Sequence, residues 1–228
     1  MMGKQIGSYE ILDAIGEGGM ATVYRAYQAK VDRHVAMKVI RQHIARDERT
    51  IQRFQREARL VARLEHPHIL PVYDFDGTHD PPYIVMRLME SGTLRDVLRH
   101  GFLPTDEIIQ VMRQLASALD YAHQQGVVHR DIKPSNIMLD REGNAFITDL
   151  GIARIAKGYE GLKDAQITES GSIVGTPDYM APEQIMDPDL ADPRTDVYAL
   201  GVVAYQMLCG QLPFDGASPM LIMLGHLK

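Results

Sequence analysis

The sequence predicts an α+β fold in two lobes. Residues 1–89 form a small, mainly antiparallel β lobe with one helix, and residues 90–228 form a mainly helical lobe. Three observations predict it. Up to Met89, short runs rich in β-branched and aromatic residues alternate with turn residues, interrupted by one stretch of helical period. Beyond Thr93, apolar residues recur at helical spacing over longer stretches. Between them, Glu90-Ser91-Gly92-Thr93 breaks both patterns and marks the boundary.

In the first lobe, Ile11-Leu12, Gly16-Glu17-Gly18-Gly19 and Ala21-Thr22-Val23-Tyr24 read as strand, glycine turn, strand. Glycines let backbone N–H groups approach a phosphate closely, although a plain hairpin turn explains the pattern equally well. No long helix follows directly, which disfavours a Rossmann crossover. Val35-Ala36-Met37-Lys38-Val39-Ile40 is an apolar strand interrupted by a lysine. Such a lysine is costly unless paired, or else it faces solvent at a sheet edge. Arg49 to Leu64 has helical period, with Phe54, Ala58, Val61 and Leu64 on one stripe. Glu57 borders that stripe and is the candidate partner for Lys38, with Glu48 the weaker one; most helix glutamates are simply solvated. Ile69–Phe75 and Tyr83–Met89 read as two further strands, joined through Asp76-Gly77 and Asp80-Pro81-Pro82.

In the second lobe, Thr105 reads as an N-cap after Pro104. Ile108, Met112, Leu115, Leu119 and Ala122 then trace one helical face as far as Gly126. This helix delivers the chain to His129-Arg130-Asp131-Ile132-Lys133-Pro134-Ser135-Asn136. Pro134 stops a helix, so the stretch is a loop, and loops on rigid scaffolds carry chemistry. Asp131 could accept a proton, Asn136 could ligate a cation through its oxygen, and Lys133 could neutralise a phosphate. A polar surface turn is the plainer alternative. Ile137-Met138-Leu139 and Ala145-Phe146-Ile147 flank Gly143-Asn144 as a hairpin, with Asp149-Leu150-Gly151 at its exit. Residues 152–182 read as a loop, and one so long is usually functional or disordered. Thr195–Leu208 is a helix, Gly210–Phe214 a turn, and another helix begins at Ser218.

Composition narrows the function. A net charge of −6 over 228 residues argues against a general nucleic-acid binder, which would be basic. Cys209 is the single cysteine, so there is no intrachain disulfide, which fits a reducing cytoplasm. Met1–Ser8 lacks the apolar core of a signal peptide. The longest nearly unbroken apolar run, Val197–Cys209, is shorter than the ~20 residues of a membrane span. The expectation is a cytoplasmic chain with no membrane segment of its own.

Taken together, these stretches resemble the catalytic domain of the eukaryotic-like bacterial serine/threonine protein kinases. The matches fall in the family's order: Gly16-x-Gly18-x-x-Ala21-x-Val23 for the glycine-rich loop, Val35-Ala36-Met37-Lys38, Glu57 on the helix, then HRDIKPSN. Asp149-Leu150-Gly151 and Ala181-Pro182-Glu183 complete the set, and the resemblance covers nearly the whole chain. It implies ATP and Mg²⁺ as cofactors, with Mn²⁺ as a substitute, and protein substrates presenting Ser or Thr hydroxyls in signalling. Lys38, held by Glu57, would contact the α- and β-phosphates. Asn136 and Asp149 would hold the metal, Asp131 would orient the attacking hydroxyl and take its proton, and Lys133 would sit near the γ-phosphate. Ile15, Gly16, Glu17, Gly18 and Gly19 would cover the nucleotide. Val23, Ala36 and Met138 would sandwich the adenine beside Met86 as gatekeeper and the Met89 backbone.

The resemblance also implies autophosphorylation of the long loop at Thr168 and Ser170, with Ser172 nearby. Arg53, Arg130 and Arg154 would receive the phosphate, and Thr176 would belong to a protein-substrate platform. Two departures stand out: Ala21 replaces the third glycine, and Leu150 replaces the usual phenylalanine, which plugs against Val61, Val72 and His129. Family domains run roughly 250–280 residues, so this reading expects a domain lacking its last helices. Glu183 would then lack its usual arginine partner, and low stability, weak activity and self-association, a homodimer included, would follow. The alternatives are a pseudokinase that binds nucleotide or partners without turnover, and a small-molecule phosphotransferase. The intact Lys38, Asp131, Asn136 and Asp149 argue against the first, and the segment Gly175–Glu183 against the second.

Overall fold

The computed structural model describes residues 3–19, 21–45, 48–150, 177–187 and 190–228. They divide into two compact units, Met1–Glu65 with Leu70–Glu90, and His66–Ile69 with Ser91–Lys228.

The first unit is built on a six-stranded antiparallel sheet. Its strands are β1 (Gln5–Ile6), β2 (Tyr9–Glu17), β3 (Ala21–Gln28), β4 (Arg33–Ile40), β5 (Val72–Asp76) and β6 (Tyr83–Arg87), in the order β1-β2-β3-β4-β6-β5. The register sorts its side chains, because residues directly paired across antiparallel strands share a face and successive residues alternate. Val35, Met37 and Val39 of β4 join Ile6, Tyr9, Ile11, Ala26, Tyr83 and Val85 in one closed core. The opposite face carries Val23 paired with Lys38, Lys38 with Ile84, and Ala36 with Met86. An apolar strand with one lysine thus resolves into a core face and a second face that bears Lys38.

The fifth strand begins at Val72, three residues later than its apolar run suggests. Pro71 has no N–H to give a ladder, and its carbonyl accepts from Arg87 N at 3.1 Å instead. Ile69 forms an isolated bridge with Ile147 inside the second unit. The short α1 (Gln42–Ala45) is followed by α2 (Glu48–Val61), which buries Thr50, Phe54, Ala58 and Val61 along one stripe and leaves Glu57 half-buried beside it.

In the second unit, α3 (Leu94–His100) starts with a capping box in which Thr93 and Asp96 exchange hydrogen bonds. The Thr93 hydroxyl and N–H together hold the Asp96 carboxyl below its ordinary range. The long helix α4 (Thr105–Gln124) buries Ile108, Val111, Leu115, Ala118, Leu119 and Ala122. Pro104, not Thr105, occupies its N-cap and makes no side-chain cap; Thr105 is already the first helical residue. The hairpin β7 (Ile137–Leu139) and β8 (Ala145–Ile147) follows. Then come α5 (Pro182–Met186), α6 (Pro193–Cys209) and α7 (Pro219–Leu227). Among the described residues, no helix is long and apolar enough to cross a membrane.

Candidate active site

The segment from His129 to Asn136 leaves α4 through Gln125 and Gly126, whose φ of 76° suits glycine. Ile132 is buried beneath it, and Pro134–Asn136 forms a single 3₁₀ turn, so Pro134 begins a turn here as well as ending extended backbone. The fixed point of the segment is Asp196, in the first turn of α6 and 1% exposed. Its Oδ2 accepts from His129 N at 2.8 Å and lies 2.7 Å from His123 Nε2, while Oδ1 accepts from Arg130 N at 2.7 Å. A carboxylate is tolerated in such a dry place because donors surround it and the helix N-terminus favours negative charge.

His129 is wholly buried and locks the loop from inside. Its Nδ1 accepts from Asp131 N at 3.2 Å, which assigns the ring proton to Nε2, and Nε2 donates to the Thr148 carbonyl at 2.9 Å. One ring therefore ties Asp131 to the strand exit just before Asp149. Arg130 and Asp149 both hold left-handed backbone, with φ of 68° and 62°. Non-glycine residues seldom adopt that conformation outside sites where geometry matters.

Around Asp131 two donors converge on one oxygen. Lys133 Nζ reaches Oδ2 at 2.7 Å and Asn136 Nδ2 reaches it at 3.0 Å, while the same amide nitrogen donates to the Asp131 carbonyl at 2.8 Å. No described side chain donates to Oδ1, which leaves that oxygen able to receive a proton. Asn136 has both N–H groups directed at Asp131, so its own Oδ1 is the atom free to accept or ligate. The backbone of Asn136 is pinned as well, since its carbonyl accepts from Thr148 N at 3.0 Å. Asp131, Lys133 and Asn136 are thus brought together, with Asp149 one residue beyond Thr148. Leu150 is 1% exposed, so leucine fills its place as a buried apolar side chain.

Two residues of α5 and α6 join the site although no motif in the sequence singles them out. Gln184 Nε2 donates to the Arg130 carbonyl at 3.0 Å, and its Oε1 caps Ala181 N at 3.1 Å. The buried Thr195 hydroxyl donates to Glu183 Oε1 at 2.7 Å and accepts from Asp192 N at 3.2 Å. The Glu183 carboxylate accepts from the Thr195 hydroxyl, a neutral donor rather than the arginine the resemblance leads one to expect. Replacing Thr195 with Val should therefore remove a hydroxyl that two partners use and destabilise the chain by about 1–3 kcal/mol, read as a lower urea midpoint than that of Thr195→Ser.

In the first unit, Lys38 lies on β4 between Val23 and Ile84, and Glu57 lies on α2. Gly18 N donates to the Ala21 carbonyl at 2.9 Å, closing the glycine turn. Neither Gly16, Gly18 nor Gly19 has a positive φ, and an added Cβ would meet nothing closer than 3.6 Å at any of them. The fold itself therefore does not require glycine there. Ile15 beside them is 47% exposed, Val23 and Met89 are half-buried, and Ala36 and Met86 are buried at 7% exposure. Met138 is half-buried on β7 of the second unit, paired with Phe146 and bridged to Thr93. Gly151, Arg154, Thr168, Ser170, Ser172, Thr176 and the side chain of Arg53 lie outside the described residues.

An antiparallel β unit with a lysine on one face, and a helical unit that fixes an Asp-x-Lys-x-x-Asn loop with an aspartate at the following hairpin's exit, define a protein kinase catalytic domain. The chain belongs to the protein kinase domain family, which it matches over residues 9–225. It is 43% identical over its whole length to the serine/threonine-protein kinase PrkC of Bacillus subtilis, of which it spans 34%. It is 42% identical over 94% of its length to PknL of Mycobacterium tuberculosis, of which it spans 52%. The crystal structure of the Mycobacterium tuberculosis PknI kinase domain, solved as a point mutant, matches 94% of this chain with a TM-score of 0.73 and 30% identity, over 79% of that chain. The chain is therefore a bacterial-type serine/threonine kinase homologue along its length, and it spans about a third to a half of these curated relatives.

Proposed function

We propose that this chain transfers the γ-phosphate of ATP to Ser or Thr hydroxyls of proteins. The observation that carries this reading is the arrangement at Asp131, with Lys133 and Asn136 on Oδ2 and Oδ1 left to a substrate hydroxyl. Phosphoryl transfer asks a protein for positioning and charge neutralisation more than for covalent help. Asp131 orients the hydroxyl and takes its proton at Oδ1. Lys133, held against Asp131, neutralises charge on the phosphoryl group. Lys38, supported by Glu57, anchors the other phosphates.

The donor set fits a hard divalent cation: the Asn136 amide oxygen and the Asp149 carboxylate are oxygen ligands of the kind Mg²⁺ or Mn²⁺ takes. Bound there, the ion would neutralise phosphate charge. The glycine turn fits a nucleotide for the reason given above: glycines that the fold does not need leave room for phosphates against the backbone. In the first unit, exposed Ile15 with Val23, Ala36, Met86 and Met89 supplies apolar surface for a base.

The Arg130 side chain supports control by loop phosphorylation. Its Nε and Nη1 are buried without a partner among the described residues, and Nη2 reaches the Ala191 carbonyl only at 3.5 Å. A buried guanidinium lacking an acceptor is costly, and a phosphate on Thr168 or Ser170 would supply one, together with Arg53 and Arg154. An enzyme that uses ATP and carries one cysteine suits the cytoplasm.

Incubation with labelled ATP and Mg²⁺, with and without a generic protein substrate, tests the reading. Label on protein hydroxyls supports it; nucleotide binding without transfer supports the pseudokinase alternative. Replacing Lys38 with Met should lower turnover at least about a hundredfold, because the phosphates lose their anchor in the transition state. Turnover within about threefold of the parent in steady-state assays would remove Lys38 from that role.

A further inference from the structure

The helix α7 carries one titratable side chain in its interior, His226, and it is 5% exposed. Three elements enclose it. From α6, the Tyr198 hydroxyl lies 2.7 Å from Nδ1, with the rings edge to face at 5.7 Å. From the turn before α7, Phe214 stands edge to face at 4.7 Å. Gly225 makes that approach possible, since an added Cβ there would sit 3.0 Å from the Phe214 side chain. The segment Pro177–Tyr179 packs against α7. Nε2 is buried and makes no formed hydrogen bond. The same segment is tied to α6 at its far end, where the Tyr179 hydroxyl donates to Gln206 at 2.7 Å.

We propose that His226 is a positioning residue for the Pro177–Tyr179 segment, holding it while neutral, releasing it when protonated, and so setting the affinity for protein substrate. The substrate half of the proposal rests on the kinase reading above, in which this segment follows Thr176 in the platform for the substrate chain.

The chemistry gives the direction. A neutral ring that accepts the Tyr198 proton at Nδ1 carries its own hydrogen on Nε2. A second proton must enter at Nδ1, against the Tyr198 O–H, and it places a cation among Phe214, Tyr198 and buried backbone. Burial holds the His226 imidazole below its ordinary value, partly offset by the Asp178 backbone and charge and by the Pro177 backbone. The groups around it do not reverse this. Burial raises the Asp178 carboxyl, His226 opposes that rise in part and Asp215 adds to it, and burial with the charge of Glu183 raises Tyr198. On α7 itself the other charged side chain is Lys228, a cation at its C-cap. Because the enclosed ring binds a proton less well than a released one, the enclosed form is favoured above about pH 6.5 and gives way as pH falls below it.

The test pairs hydrogen exchange with kinetics between pH 5.5 and 8, on the parent, His226→Gln and Tyr198→Phe. Exchange over residues 177–182, corrected for intrinsic rates, should speed up at least fivefold in the parent as pH falls from 7.5 to 5.5. It should be nearly independent of pH in His226→Gln. Tyr198→Phe, which frees Nδ1 to bind a proton while the ring stays enclosed, should weaken the pH response. In the same range the parent's KM for a generic protein substrate should rise at least threefold while KM for ATP stays within twofold, and His226→Gln should flatten that rise. Parent exchange that does not respond to pH, or that responds equally in His226→Gln, overturns the latch. A latch seen by exchange with an unmoved protein KM overturns its role in substrate affinity. A chain that exchanges as expected yet never transfers phosphate retains the latch and loses the kinase reading, and the substrate role with it.

Discussion

Asp131→Asn should lower phosphate transfer by about 10²–10⁴-fold, the usual worth of a positioned general base. It should leave the affinity for nucleotide within about threefold, and the fold intact. The two donors that meet at Oδ2 decide how the amide sits. Lys133 Nζ and Asn136 Nδ2 both need an acceptor there, at 2.7 and 3.0 Å, so the asparagine oxygen takes that place. Its NH₂ group is then forced to the Oδ1 position, where the substrate hydroxyl has to be received. A donor faces a donor, and no base remains. Because Asp131 is about a quarter exposed, the swap costs the fold little. Single-turnover transfer and nucleotide titration on the same preparation check it. Transfer near the parent rate would mean that another group accepts the proton.

Much of this site is legible in the sequence because its working groups are neighbours in the chain. Asp131, Lys133 and Asn136 fall within six residues, and one 3₁₀ turn brings them together. The second face of β4 is legible for the same local reason: alternation alone sets Lys38 and Ala36 apart from Val35, Met37 and Val39. What holds the loop is not legible. Asp196 reads as a helix-start aspartate of the commonest kind, and its partners lie 66 to 73 residues away. Gln184 reaches Arg130 across 54 residues, and nothing in the Ala181-Pro182-Glu183 signature points to it. Thr195, a residue of weak helix propensity inside a helix, hints at a tertiary role but does not name Glu183. The left-handed backbone at Arg130 and Asp149 is hidden too, since neither is the glycine that usually announces it. Pro104 shows how local rules slip by one position: Thr105 has the chemistry of a cap, yet the helix begins on it.

Asp196→Asn should therefore be nearly as damaging to catalysis as the loss of Asp131, by a different route. The parent carboxylate gives both oxygens to backbone N–H groups of consecutive residues, His129 and Arg130, and faces His123 as well. An amide supplies one oxygen. If it takes the Arg130 N–H, its NH₂ points at His129 N and at His123 Nε2. If it takes the His129 N–H, the NH₂ points at Arg130 N. Either way a buried donor is turned on a buried donor, and at least one backbone N–H is left unpaired. Each such group costs about 1–3 kcal/mol, and loss of the buried charge adds to that, so about 3 kcal/mol is expected. For a chain of this size that corresponds to a melting temperature lower by roughly 6–12 °C. The backbone can relieve the conflict by rotating the peptide between His129 and Arg130, but that rotation swings Asp131 away from its position. Turnover measured well below the variant's own melting temperature should then remain down at least about a hundredfold, a shift of about an ångström sufficing for such losses. Nucleotide affinity should hold, since His123, His129 and Arg130 are not among the residues that would hold the nucleotide. A variant that melts early yet turns over normally in the cold would show that Asp196 supports stability alone and that the loop positions Asp131 without it.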